Sequence, residues 1–194
     1  MRLCQLLPIL VLTACSPGRD LPMLPTVSST DYRLGAGDAV RIITFGEDSL
    51  TGEFRVNDSG SIALPLLGPV RSAGLTPAEL ETSVMAALKR ANLLRNPSVS
   101  VEVVTYRPIF VLGEVNRPGQ YPYQPGMTVV TAAAVAGGFT YRAVEGYASV
   151  VRTPVGAVMG MAMGTTVGDP IEGKAVRHAY VQPGDVITIL ERRF

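Results

Sequence analysis

A chain of 194 residues with 47% apolar and 17% charged side chains can bury the core of one or two small domains, which excludes a disordered or fibrous polymer. The net charge of +1 gathers into no basic block, which excludes the electrostatic footprint of a nucleic-acid binder. The 20 glycines and 15 prolines predict many turns between short elements rather than a helical bundle.

The first element is a leader. Arg2 precedes the apolar stretch Leu3 to Leu12, interrupted only by Gln5, and small residues follow, as in a secretory signal. A run of this kind is roughly half what a bilayer-spanning helix needs. Leu12-Thr13-Ala14-Cys15 resembles the lipobox of bacterial lipoproteins, so residues 1–14 are expected to be removed as a signal peptide and Cys15 to carry lipid at the mature N-terminus. Cys4 leaves with the signal and Cys15 is acylated, so the mature chain has neither disulfide nor free thiol. Loss of Arg2 also takes one of the 17 basic side chains and so balances the 16 acidic ones. Ser16 stands where an aspartate would retain a lipoprotein at the inner membrane, which favours the outer one. Residues 15–30, rich in Ser, Pro and Thr without apolar period, read as a lipidated tether without fixed structure.

From Asp31 the texture changes. Gly35-Ala36-Gly37-Asp38 is a tight turn feeding a buried strand over Ala39 to Phe45. Phe54 to Val56 and Ser61 to Leu64 read as two strands across the polar loop Asn57-Asp58-Ser59-Gly60. The clearest helix begins at Thr76, with Pro77 at its first position and Glu79 closing a capping box, and Leu80, Val84, Ala87 and Leu88 share one face. Ser98 to Val103 alternates strictly, which predicts a strand with one open face. A second module starts near Arg107-Pro108. It holds a strand at Ile109 to Leu112, a turn over Gly113 to Gly119, and a short edge strand at Gln120 to Tyr123. A short alanine-rich helix follows at Thr128 to Ala136, stopped by Gly137-Gly138, and then a strand at Ala148 to Arg152. The closing Gly184-Asp185-Val186-Ile187 repeats the type of Gly37-Asp38-Ala39-Val40, so each module has one Gly-Asp turn that launches a core strand.

Two sets of three motifs, in this order, resemble one family. Tyr32 to Asp38, Asp58 to Gly68 and Gly74 to Leu80 are similar to the export domain of the outer-membrane polysaccharide export proteins of capsule and exopolysaccharide systems. Gly113-Glu114-Val115 with Pro118-Gly119, Ala136-Gly137-Gly138 and Pro183 to Val186 resemble the soluble ligand-binding β-grasp domain, SLBB, that follows it. The resemblance covers residues 31–194 and implies an α+β fold. A small export domain over 31–105, with a mixed sheet and a packed helix, would be followed by a β-grasp-like SLBB domain over 106–194. It further implies a homo-oligomeric ring that passes polysaccharide and meets an inner-membrane chain-length regulator, or co-polymerase. The chain would be held to the outer membrane by its lipid, facing the periplasm. Larger members add a further SLBB domain and a C-terminal membrane helix. This chain ends at Phe194 without room for one, so a separate outer-membrane pore protein is expected as partner, and the stretch Pro154 to Gly173 has no motif to place it. The alternative is a monomeric envelope lipoprotein whose SLBB domain binds a soluble ligand or bridges envelope proteins.

No catalytic, cofactor or metal site is expected. His178 is the single histidine, and Glu47, Asp48 and Glu53 sit in a polar stretch with nothing to raise one carboxyl pKa for glycoside hydrolysis. Gly35-Ala36-Gly37 lacks the Gly-Lys-Ser/Thr of a phosphate loop. Asp38 and Asp185 suit turns better than sugar binding. Arg117, Tyr121 and Tyr123 are the candidates for glycan or subunit contact, since guanidinium groups and aromatic faces suit sugars and acidic polymers; they also suit an ordinary edge strand. Met159, Met161 and Met163 alternate, which places them on one face of an extended segment, as hairpin core or as an adaptable interface.

Overall fold

The computed structural model describes residue 18 and residues 20–25, 32–155 and 170–192. Cys4, Cys15 and the three alternating methionines lie outside the described residues.

Two hydrophobic cores follow one another along the chain. In the first half β1 (Ala39–Thr44) is the centre of an antiparallel sheet, with β2 (Gly52–Arg55) on one side and β5 (Val99–Thr105) on the other. Its period-two pattern turns Val40, Ile42 and Thr44 inward and leaves Arg41 and Ile43 outward, so one face of the sheet is open. Helix α1 (Pro77–Arg90) adds Leu80, Val84 and Leu88 to the core that holds Val40, Ile42 and Val101. Its start follows the capping box: Thr76 Oγ1 accepts from the Glu79 amide at 3.2 Å, and Glu79 Oε2 accepts from the Thr76 amide at 2.8 Å.

The loop after β2 departs from expectation. Phe54–Val56 and Ser61–Leu64 do not pair as a hairpin. Phe54 is in register with Val40 on β1, while β3 (Ser61–Leu64) pairs antiparallel with β4 (Gly68–Arg71), an element the sequence did not announce. Asn57 closes the loop on Ser61, but Val56 donates its amide to the Asp38 carbonyl and its own carbonyl accepts from the Gly37 amide, so its backbone pairs on the β1 side instead of with β3.

The second half carries a mixed sheet. Its strands are β6 (Ile109–Gly113), β7 (Gly119–Tyr121), β8 (Tyr147–Arg152), β9 (Ile171–Val176) and β10 (Val186–Ile189), in the order β7-β6-β10-β8-β9. β6 and β10 run parallel and the other neighbours antiparallel. Helix α2 (Val129–Val135) contributes Val129, Ala132 and Ala133 to this core, and Thr128 and Thr131 cap its start reciprocally. Gly137 and Gly138, both at φ +86°, end it, as glycine alone does without strain. β7 lies at the sheet edge between two prolines, where a missing amide costs little.

Part of the N-terminal tether is ordered. Met23 pairs in parallel with Lys174 of β9, Leu24 N donates to the Lys174 carbonyl at 3.0 Å, and Lys174 N donates to the Pro22 carbonyl at 2.7 Å. Leu24 packs against the second core. The expectation of a wholly unstructured tether therefore fails at residues 22–24, because Leu24 finds apolar surface that compensates the loss of chain entropy.

Candidate functional site

The two Gly-Asp turns, one before the first strand of the first half and one before the last strand of the second, converge on Arg107. Asp38 is wholly buried, and its carboxylate accepts from the Tyr32 hydroxyl, the Gly35 amide (2.7 Å), the Arg107 amide (2.8 Å) and Arg107 Nη1 (3.0 Å). The same guanidinium donates through Nε to the Pro183 carbonyl at 2.9 Å, so one side chain ties the first turn to the second. Glycines make the room. A side chain at Gly35 would overlap the guanidinium, and a Cβ at Gly184 would stand 2.9 Å from Arg107 Nε, at φ +88°. Gly184 N donates in turn to the Pro108 carbonyl at 3.0 Å.

The second turn is built on the same plan. Asp185, also buried, accepts from the Gln182 amide three residues earlier, as Asp38 does from Gly35, and is clamped by Arg152 through Nε at 2.9 Å and Nη2 at 2.6 Å. The fork of two parallel donors is the strong form of this pair.

An aromatic ladder runs beside the joint. Tyr32 meets Tyr106 edge to face at 4.9 Å, and Tyr106 meets Tyr123 at 5.4 Å, so rings from the first half, the junction and the second half stand in one row. Burial, followed by the charge of Asp38, pushes the Tyr32 phenol well above its ordinary range. Tyr106 is raised by burial and then by Asp38, and Tyr123 chiefly by burial. The Tyr32 phenol stays neutral and donates to Asp38, which takes four donors, while Asp185 takes three. The arrangement links the turn of the first half to the turn of the second through one arginine.

The residues singled out in the sequence fall in different places. Tyr123 belongs to the ladder and is half-buried. Tyr121, also half-buried, donates its hydroxyl to the Arg117 carbonyl, while the Arg117 side chain is exposed near Gly137. Arg117 and Tyr121 thus share one turn at the sheet edge, and Tyr123 does not join them. Glu53 pairs with Arg41 at 2.7 Å, both side chains about half exposed. His178 is exposed beside a cavity of about 230 Å³ lined by Met23, Leu24, Val176 and Tyr180. Among the described residues no three His, Cys, Asp or Glu side chains cluster to hold a metal ion. Sequence reasoning missed Arg107, Tyr32 and Tyr106. The available signal was an arginine and a tyrosine placed directly before the proline that opens the second module.

Comparison with known families agrees with this two-part build. The polysaccharide biosynthesis/export protein family matches residues 26–104, and the SLBB domain family matches residues 108–162, directly behind the Arg107 joint. The chain carries a polysaccharide export domain followed by an SLBB domain. Among curated relatives, the exopolysaccharide production protein ExoF of Rhizobium meliloti (strain 1021) is 34% identical over 119 residues, 56% of this chain and 28% of that protein. The EPS I polysaccharide export outer membrane protein EpsA of Ralstonia solanacearum is 30% identical over 137 residues, 57% of this chain and 36% of its own. The polysialic acid transport protein KpsD of Escherichia coli is 31% identical over 93 residues, 47% and 16% respectively. The chain therefore spans between 16% and 36% of the length of these relatives. In all of them the shared part belongs to a protein named for production, export or transport of a polysaccharide.

Proposed function

We propose that this chain is the subunit of a ring that passes capsular or extracellular polysaccharide across the bacterial envelope. It is anchored through lipid on Cys15 to the outer membrane, faces the periplasm and has no catalytic site of its own. The observation that carries the reading is the joint between the export and SLBB domains. A head-to-tail assembly closes into a ring only if every subunit repeats the same rotation, and a subunit that flexes at its middle gives open or mixed assemblies. Arg107, gripped by Asp38 on one side and Pro183 on the other, supplies that constancy. The export-protein names of the relatives support polysaccharide as the cargo.

In this reading the polymer is received from an inner-membrane chain-length regulator and leaves through a separate outer-membrane pore. Among the described residues no helix is long and apolar enough to cross a membrane. The longest strand among the described residues, β5, has seven residues, against about nine to eleven for a membrane barrel strand. A second reading, a monomer whose SLBB domain holds a soluble ligand, draws on the 230 Å³ cavity beside His178. Mass and symmetry of the purified lipidated protein in detergent separate the two. A closed ring of one subunit number supports export through a central passage, and a monodisperse monomer refutes it.

A further inference from the structure

The N-terminal strap does more than follow the SLBB domain; it dictates where the chain enters that domain. Its place on β9 is built. A Cβ at Gly173 would stand 2.8 Å from Leu24 Cγ and 2.9 Å from the Pro22 carbonyl, so glycine alone lets the strap sit close enough to pair on both sides of Lys174. Upstream, Gly18 lies so close to Leu190 that a side chain there would overlap it, and a Cβ at this position would be 3.6 Å from the Tyr147 ring. The strap therefore arrives at one end of the domain. Val144 N donates to the Leu190 carbonyl at 2.9 Å, Arg192 N donates to the Arg142 carbonyl at 2.7 Å, and Arg142 pairs with Glu191. Tyr141, next to Arg142 in sequence, is 86% exposed.

Cys15 is three residues ahead of Gly18, and three extended residues reach at most about 11 Å. Acyl chains on Cys15 would place that sulfur at the level of lipid headgroups, and the end of the domain beside Gly18 must then lie within this short reach of them. The side chains found there suit such a surface. Tyrosine is enriched where an apolar ring body meets lipid and its hydroxyl meets water, and the guanidinium groups of Arg142, paired with Glu191, and Arg192, whose Nη2 donates to the Ala143 carbonyl at 3.2 Å, add net positive charge beside it. We propose that the end of the SLBB domain bearing Tyr141, Arg142 and Arg192 rests on the headgroup surface of the membrane that holds the lipid on Cys15. This rests on the lipid-anchor part of the proposed function. The strap then acts as a strut, so the anchor holds the SLBB domain in a set orientation instead of letting it swing.

The chain contains no tryptophan, so Tyr141→Trp gives a single reporter. The full-length lipidated protein is reconstituted in vesicles of phosphatidylethanolamine and phosphatidylglycerol, with and without brominated acyl chains, and its acylation is read by mass. Trp at 141 should shift to shorter wavelength and be quenched by the brominated lipid. Phe45→Trp, 85% exposed in the export domain, should do neither. Gly173→Val, checked for retained fold by circular dichroism, should release the strap and abolish quenching at 141 while the protein still floats with the vesicles. An acylated protein without quenching at 141, or with quenching at 45 instead, overturns the surface and leaves the anchor standing. Full quenching in the Gly173→Val background overturns the strut. An unacylated Cys15 overturns the anchor and this inference together.

Discussion

Replacing Arg107 with alanine tests the joint most sharply. Asp38 has no exposed side-chain surface and Arg107 only 15%, so the pair is shielded from water and salt. Alanine would leave a buried carboxylate with three neutral donors, from Tyr32, Gly35 and its own main-chain amide at 107, but no counter-charge. Breaking a buried pair from one side costs about 3–5 kcal/mol, and the surviving donors set this case at the lower end, about 3 kcal/mol. For a chain of this size each kcal/mol moves Tm by about 2–4 °C, which gives a fall of about 6–12 °C. The link to Pro183 disappears as well, so scanning calorimetry should show the two domains separating into distinct transitions. Arg107→Lys should recover only part of the loss, since an ammonium has no planar fork to reach both turns. Asp38→Asn added to Arg107→Ala should cost less than the two single effects combined, because the orphan charge is gone. A melting curve for Arg107→Ala within about 0.5 kcal/mol of wild type, or strict additivity in the double variant, would refute the reasoning.

Three further outcomes follow from the same geometry. Thr76→Ala should destabilise the export domain by about 1 kcal/mol in chemical denaturation, through loss of the cap on the Glu79 amide. Tyr32 is protonated in both states below its unfolded pKa of about 10; above that pH only the unfolded chain ionises, so stability should fall as pH rises. Tyr32→Phe should flatten that alkaline limb, which a denaturation series between neutral and strongly alkaline pH would read. The purified lipidated protein alone in planar bilayers should give no stable conductance of polysaccharide-permeable size. Such conductance without an added partner would show that the ring makes its own membrane pore.

What could be read from the sequence was local. Helix α1 announced itself through Thr76, Pro77 and Glu79 in sequence and an apolar face at helical spacing, all within one short stretch. Strands β1 and β10 followed from their Gly-Asp turns, and the edge strand expected over Gln120 to Tyr123 forms as β7 over Gly119–Tyr121, stopping before Pro122. Strands β4 and β9 stayed hidden because Gly68-Pro69 and Gly173-Lys174 have poor strand propensity and owe their conformation to the neighbours they pair with. The expected pairing of Phe54 to Val56 with Ser61 to Leu64 failed because local pattern does not fix a strand's partner, and Phe54 pairs with β1 while β3 pairs with β4. The joint was the least legible part. Asp38 and Arg107 are 69 positions apart, and each by itself reads as an ordinary turn or surface residue. Both aspartates were rightly assigned to turns, but the arginine between the turns carries no local signature. The contact of residues 22–24 with β9 is equally non-local, since what admits it is a missing side chain at Gly173.

The central claim, that this chain carries polysaccharide outward, is tested most directly by measuring where the polymer resides in cells lacking it. Surface and released polysaccharide should fall while polymer accumulates in the periplasm, and a plasmid copy of the wild-type chain should reverse both. Unchanged surface polysaccharide with no periplasmic accumulation would contradict the account.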